Sequence, residues 1–276
     1  MKIMKTTNTI INMQDLVVII PLHEYNKKAE ELLNRAVSSV PQKTEIRISC
    51  AYGIGKKLEK TFADNDDIVI VENPSKESKT DFCSLVNNAV GDSKWFSILE
   101  YDDTYTSIWF DNFRKYYDFH SDVSIFMPLE DLMEYDTNEF IGMGNEAPHA
   151  SSFSNELGFI DNDCLQQFFD FYPTGSIFNT EDWKELGGLK PSIKLSFWYE
   201  FLLRATHKGK KIYVIPKVGY THYLGRKDSL MEKYGKEIDS KESDWWINLA
   251  KKEQFFTSER GPEKYVYNPE KVEDEE

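Results

Sequence analysis

Residues Trp95–Tyr105, WFSILEYDDTY, decide the reading of this chain. The stretch opens as a short apolar run, Trp95, Phe96, Ile98 and Leu99. Three acidic side chains, Glu100, Asp102 and Asp103, then fall within four positions. An apolar run of this length, bounded by polar residues, reads as a buried strand. Open α/β sheets bind ligands in the crevice outside the carboxyl ends of their strands, which is where this acidic group would sit. Like charges so close repel unless a cation or donor groups offset them. A hard divalent ion, Mg2+ or Mn2+, is a natural counter-charge for such a set. A plain polar turn after a core strand is the alternative.

The residues before this stretch supply its context. Leu16–Leu22, LVVIIPL, is a continuous β-branched run and reads as a central parallel strand buried on both faces. His23, Glu24, Tyr25 and Asn26 form the loop that follows. From Lys28 to Val40 the apolar positions Ala29, Leu32, Leu33, Ala36, Val37 and Val40 recur at helical spacing, and Pro41 ends the helix. Glu45–Cys50 alternates as a second strand, Lys56–Ala63 suits a helix, and Asp67–Val71 a third strand. Asp81–Val90 presents Phe82, Leu85, Val86 and Ala89 on one helical face. The first hundred residues thus read βαβαβαβ, which implies a parallel sheet with helices on both faces.

Beyond Asp103 a helix is expected over Ser107–Phe119 and a strand over Val123–Leu129. Glu130 to Asp170 reads as a long irregular excursion with a helix near Cys164–Phe171. A short strand at Ser176–Asn179, a helical turn from Thr180, a helix over Ser196–Lys208 and a last strand at Lys211–Pro216 follow. Gly219–Arg226 reads as a loop, and Lys227–Phe256 as helical. Phe168, Phe169, Phe171 and Tyr172 read as core, whereas Trp183, Trp198 and Tyr199 read equally as core or as a sugar platform.

The formal net charge of −14, from 47 acids against 33 bases, disfavours an extended nucleic-acid interface, which needs clustered Lys and Arg. Cys50, Cys83 and Cys164 are too few and too scattered for a disulfide framework or a zinc site and suit a reducing compartment. No run approaches the ~20 apolar residues of a membrane span, and the opening residues lack a signal-peptide core. A soluble, cytoplasmic protein is the expectation.

Taken in order, these pieces resemble the family-2 glycosyltransferases of the GT-A fold. VVIIPLHEYN resembles the family's first strand, Asn87-Asn88-Ala89 its N-x-A helix, and Glu100-Tyr101-Asp102-Asp103 its D-x-D motif. Glu185-Leu186-Gly187-Gly188-Leu189 matches its ELGGF turn, Glu200–Arg204 (EFLLR) its E-[LF]-x-x-R helix, and GKKIYVIP its closing strand. A His often follows that strand, and here it is His222. The resemblance covers Leu16–Arg226. It implies an α/β fold of GT-A type, a Rossmann-like mixed and mainly parallel central sheet flanked by helices. The domain plan is then a leader at 1–14, a GT-A glycosyltransferase-like domain at 15–226, a helical extension at 227–260 and an acidic tail at 261–276.

The resemblance also implies a chemistry, metal-dependent and inverting transfer of a sugar from a nucleotide-diphospho-sugar donor to the hydroxyl of an unknown acceptor. Pro21, His23, Glu24 and Tyr25 would touch the nucleoside, with Asp102, Asp103 and Arg226 also at the donor. Glu100, Asp102 and His222 would hold Mn2+ or Mg2+. The sequence departs from the family where the general base belongs, since Phe197 and Trp198 replace its Glu-Asp pair. Glu200 is the nearest carboxylate on that helix and becomes the candidate base. It departs again after the second strand, where Cys50-Ala51-Tyr52-Gly53 lacks the usual Asp. A GT-A-like binding or structural protein with impaired catalysis is therefore the rival reading. A nucleotidyltransferase would want a Gly-rich basic loop after the first strand, and HEYNKK has Lys27 and Lys28 but no Gly.

Overall fold

All seven residues of Leu16–Leu22 are buried, and they form the strand (β1) on which the rest is built. Its side chains alternate between two cores. Val17 and Ile19 join one cluster, while Leu16, Val18, Ile20 and Leu22 join the other. Successive side chains of a strand point to opposite faces, so an unbroken apolar run is what a doubly covered strand requires. The structure, a computed structural model, describes residues 15–150, 152–238 and 240–255. The leader and the acidic tail lie outside the described residues.

The elements follow in order as α1 (Lys27–Ser39), β2 (Glu45–Cys50), α2 (Gly55–Thr61), β3 (Ile68–Glu72), α3 (Phe82–Ala89), β4 (Trp95–Ile98), β5 (Thr104–Tyr105) and α4 (Trp109–Phe119). Then come β6 (Ile125–Glu134), β7 (Phe140–Gly144), β8 (Phe159–Ile160), α5 (Asn162–Gln167), β9 (Ile177–Asn179), α6 (Thr180–Leu186), α7 (Phe197–His207), β10 (Ile212–Leu224), α8 (Leu230–Glu237) and α9 (Ser240–Lys251). Local chemistry sets several starts. Asn26 accepts the Ala29 N–H at 3.0 Å ahead of α1, and Asp81 does the same for Ser84 ahead of α3. Asn179, rather than Thr180, caps α6 through the Asp182 N–H.

The strands form one sheet in the order β3-β2-β1-β4-β9-β6-β10-β5, with β7 on β6 and β8 on β10. β3, β2, β1 and β4 are parallel neighbours, as are β6 and β10. The short β9 enters antiparallel between β4 and β6, so the sheet is mixed although most of its paired length is parallel. One face is covered by α3, α6, α7 and α9, and the other by α1, α2 and α4. Trp95 anchors the second face, wedged edge-on against Phe113, Tyr117 and Phe126.

Two expectations change here. The 130–170 excursion is partly ordered into β7, β8 and α5, and β6 runs on to Glu134. Gly219–Leu224, expected as loop, is the second half of β10. Its register against β6 shifts between Ile215 and Val218 and again between Val218 and Tyr220. Such irregularity bends a strand and re-aims its side chains. Gly219 sits at the bend because a Cβ there would lie 2.4 Å from the Trp109 ring.

Glu200 and Arg204 lie one turn apart on α7, both 4% exposed. Arg204 donates from Nε to Glu200 Oε1 at 2.8 Å and from Nη2 to Oε2 at 2.9 Å. It also donates to the carbonyls of Leu186 and Gly188, so the pair ties α7 to the end of α6. Removing one member of a buried ion pair strands the other charge. Arg204→Ala should therefore cost about 3–5 kcal/mol in urea unfolding, and an unchanged midpoint would refute this structural role.

Candidate functional site

β1, β4 and β6 end at the same edge of the sheet, and a cleft of about 530 Å³ opens there. Pro21 and His23 line it from the end of β1, and Glu100 to Asp103 from the end of β4. His222 to Arg226 reach it from the end of β10, and residues 169–174 close one side. Asn145 holds that side in place. Its side chain donates to the carbonyls of Pro128 and Tyr172 and accepts the Tyr172 N–H, each at 2.9 Å.

The acidic residues after β4 divide between two partners. Glu100, Asp103 and His222 each offer a ligand atom, and these atoms lie within 4.8 Å of one another. Asp102 instead faces Arg226, whose Nε donates to its Oδ2 at 2.7 Å. Of the expected trio Glu100, Asp102 and His222, the structure brings Glu100 and His222 together with Asp103, because the turn sends Asp103 rather than Asp102 to the histidine. Asp103 Oδ1 accepts the Tyr223 N–H at 2.8 Å, which orients it. The Glu100 N–H donates to the Tyr220 hydroxyl at 3.1 Å.

Glu130 completes the group and was not among the expected residues. It is fully buried on β6, and its Oε2 lies 3.3 Å from His222 Nδ1. Glu130 pairs with Tyr220 in the β6–β10 register, two positions from His222, so both side chains fall on one face. The sequence signal was the acidic pair Glu130-Asp131 after an apolar run, readable as strand only once β6 is known to extend past Leu129. Tyr172 packs edge-on to His222 with ring centres 5.3 Å apart.

Burial dominates the electrostatics. It lifts the Glu100 carboxyl to about 7, with His222 opposing and Asp102 adding. It lifts Glu130 to about 7 against the pull of His222, and carries Asp103 well above the usual range. Burial alone would lower His222, but Asp103, Glu130 and Glu100 together raise it to about 10. Asp103 Oδ2 and Glu130 Oε1 are buried and have no hydrogen-bond partner among the described residues. Two orphaned carboxylate oxygens beside an imidazole suit a divalent cation, since carboxylate with imidazole is an Mn2+-type donor set. Glu130 on Nδ1 leaves Nε2 of His222 for such an ion, the usual arrangement around metal-bound histidine.

The other candidates separate. His23 lines the cleft, and its buried Nε2, 3.9 Å from Glu24 Oε1, has no hydrogen-bond partner among the described residues. Burial is the main influence lowering its pKa. Glu24 and Tyr25 do not line the cleft: Glu24 pairs with Lys233 at 3.3 Å, and the Tyr25 hydroxyl bonds Thr61 at 2.8 Å. Arg226 is 4% exposed, and its guanidinium also bonds the Tyr101 hydroxyl at 2.8 Å and Asp228 at 3.0 Å. It is an internal strut rather than an open diphosphate clamp. Glu200 does not line the cleft, and both its oxygens are held by Arg204. Phe169 and Tyr172, expected in the core, line the cleft, with Phe169 56% exposed. Of the candidate sugar platforms Trp198 and Tyr199 line it, whereas Trp183 is core.

No family model matches the chain, and no curated protein sequence matches it. Solved structures do. A structure of S. aureus TarS superposes with a TM-score of 0.56 at 13% identity, over 92% of this chain and 46% of that one. TarS residues 1–349 with UDP give 0.56 at 12% identity, over 92% of this chain and 76% of that one. The same fragment with UDP-GlcNAc gives 0.58 at 11%, over 93% and 77%. The chain therefore has the GT-A type of fold, a large, mostly parallel sheet flanked by helices. It spans about half the length of the longer TarS chain, 46%. No helix among the described residues is long and apolar enough to cross a membrane.

Metal binding at this cluster would compete with protonation. Below about 7 Glu100 holds a proton, and His222 must lose its own to bind a metal. The Mn2+ dissociation constant, read by calorimetry, should tighten at least about tenfold from pH 6 to pH 8. At pH 8, Asp103→Asn and His222→Ala should each weaken it more than about tenfold, and Glu130→Gln about tenfold. Asp102→Asn should leave it within about threefold, in line with its bond to Arg226. A larger loss in Asp102→Asn than in Asp103→Asn would return the metal to the expected trio.

Proposed function

We propose that this protein is a metal-dependent glycosyltransferase that moves a sugar from a nucleotide-diphospho-sugar to an acceptor hydroxyl. The observation that carries this reading is the Glu100, Asp103 and His222 set at the mouth of the cleft of a GT-A fold. Neighbours of that fold bind UDP and UDP-GlcNAc, which supports a UDP-sugar donor. Among the described residues lining the cleft, Arg226 is the only Lys or Arg, and it is already paired. A diphosphate here thus depends on a divalent ion for counter-charge. Mn2+ or Mg2+ bound by the set would offset the charge that develops on the departing nucleoside diphosphate. His23 and Tyr101 line the same end, and His23 Nε2, without a hydrogen-bond partner among the described residues, could meet a base or ribose.

In this proposal transfer inverts the sugar's anomeric centre. The acceptor oxygen bonds to the anomeric carbon as the bond to the diphosphate oxygen breaks. The hydroxyl proton needs a base within hydrogen-bond reach. Outside the metal set and the Arg226 pair, the carboxylates lining the cleft are Asp170 and Glu232. Asp170 is favoured, because it sits two residues from Tyr172, whose ring packs on His222. Glu232 is paired with Lys236 at 2.9 Å.

One observation favours a second reading, a donor-binding protein without transfer. The positions where the resemblance wants acids hold Phe197, packed on Phe82, and Trp198, stacked on Phe178. A single series separates the two. UDP should bind at least about tenfold tighter with Mn2+ than with EDTA, and UDP-sugar should be turned over. Asp170→Asn should then cut turnover by about 100-fold or more while donor affinity stays within about twofold. Metal-linked UDP binding with no turnover of any UDP-sugar supports the binding-protein reading. Absence of metal-linked UDP binding sinks both.

A further inference from the structure

The far end of the cleft is built differently from the metal end. Its walls come from α7, α8 and α9 and from the 169–174 loop, rather than from strand ends. They are apolar, with Trp198, Leu230 and Ile247 half-buried behind the opening. Two large side chains at the rim are open to solvent, Phe169 at 56% and Met231 at 42%. Single exposed apolar residues are ordinary, but here two flank the mouth of a cavity with apolar walls.

Charge narrows what could fill this end. Arg226, the only Lys or Arg among the described residues lining the cleft, is spent on Asp102, Tyr101 and Asp228. The nearby Lys194 and Lys233 pair with Asp81 and Glu24. Asp170 and Glu232 contribute negative charge at the rim. A cleft lined by one sign of charge repels a ligand of that sign. Among the described residues lining this end, none is a Lys or Arg left to meet a second anion beside a metal-bound diphosphate.

Resting on the glycosyl-transfer reading, we propose that the acceptor is an uncharged hydroxyl compound with an apolar, aryl or alkyl, body. That body lies against Phe169, Trp198 and Met231, and phosphate- or carboxylate-bearing acceptors are excluded by charge.

The test compares three probes by calorimetry on the full chain with Mn2+ and UDP. They are 4-nitrophenyl β-D-glucopyranoside, 4-nitrophenyl β-D-glucuronide and methyl β-D-glucopyranoside. The first should bind about tenfold tighter than the methyl glycoside, which lacks the ring. It should also bind about tenfold tighter than the glucuronide, which differs by one carboxylate, and added salt should shrink that gap. Phe169→Ser and Met231→Ser, both at exposed positions, should weaken the aryl glucoside about fivefold while UDP affinity stays within about twofold. Equal or tighter binding of the glucuronide overturns the proposal, as does aryl binding that ignores both substitutions. If UDP fails to bind but the aryl glucoside still depends on Phe169, the apolar subsite stands and the transfer reading falls.

Discussion

The site depends on one electrostatic constraint. Buried Asp103 and Glu130 and half-buried Glu100 surround a single imidazole at the end of a sheet. Burial without counter-charge drives carboxylates toward their neutral forms, and here it lifts Glu100 and Glu130 to about 7. The same three acids keep His222 protonated far above its ordinary range. Without a counter-ion the site is driven toward protonated carboxyls beside a charged imidazole. The strained hydrogen-bond economy fits this: Asp103 and Glu130 each keep a buried oxygen without a partner among the described residues.

Around that centre, Asp102 and Arg226 form a separate brace. Arg226 bridges the turn after β4 to the segment after β10, while Arg35 on α1 holds the Asp102 carbonyl and lies over the Tyr223 ring at 4.3 Å. The brace fixes the turn, and the turn then decides which carboxylate meets His222. It also removes the one arginine that lines the cleft from ligand binding. Among the described residues the cleft lining is then acidic, with Glu100, Asp103, Asp170 and Glu232 beside an Arg226 already paired with Asp102.

Much of the fold was legible in the chain because its signals are local. The apolar run of β1, the helical spacing of α1 and α3, and the order of β and α segments up to β4 all survive unchanged in kind. The misses came where non-local pairing overrides local pattern. GYTHYLGR carries glycines and polar residues that read as loop, yet β6 recruits it as strand through a ladder that tolerates two register shifts. The same pairing extends β6 and brings Glu130 to His222. Glu200 illustrates the converse. Its one-turn spacing to Arg204 was visible in EFLLR, but that the pair is buried and closed on itself depends on α6 packing beside it.

By itself the sequence determined the α/β class and the acidic cluster at the end of the fourth strand. These follow from composition and from periodicities of two and 3.6 residues, which any local stretch of chain carries. Only the tertiary structure decided which acids gather at His222 and which are struts. Asp102 and Asp103 are neighbours of like chemistry, and they are told apart by what the fold places opposite them, a guanidinium for one and an imidazole for the other.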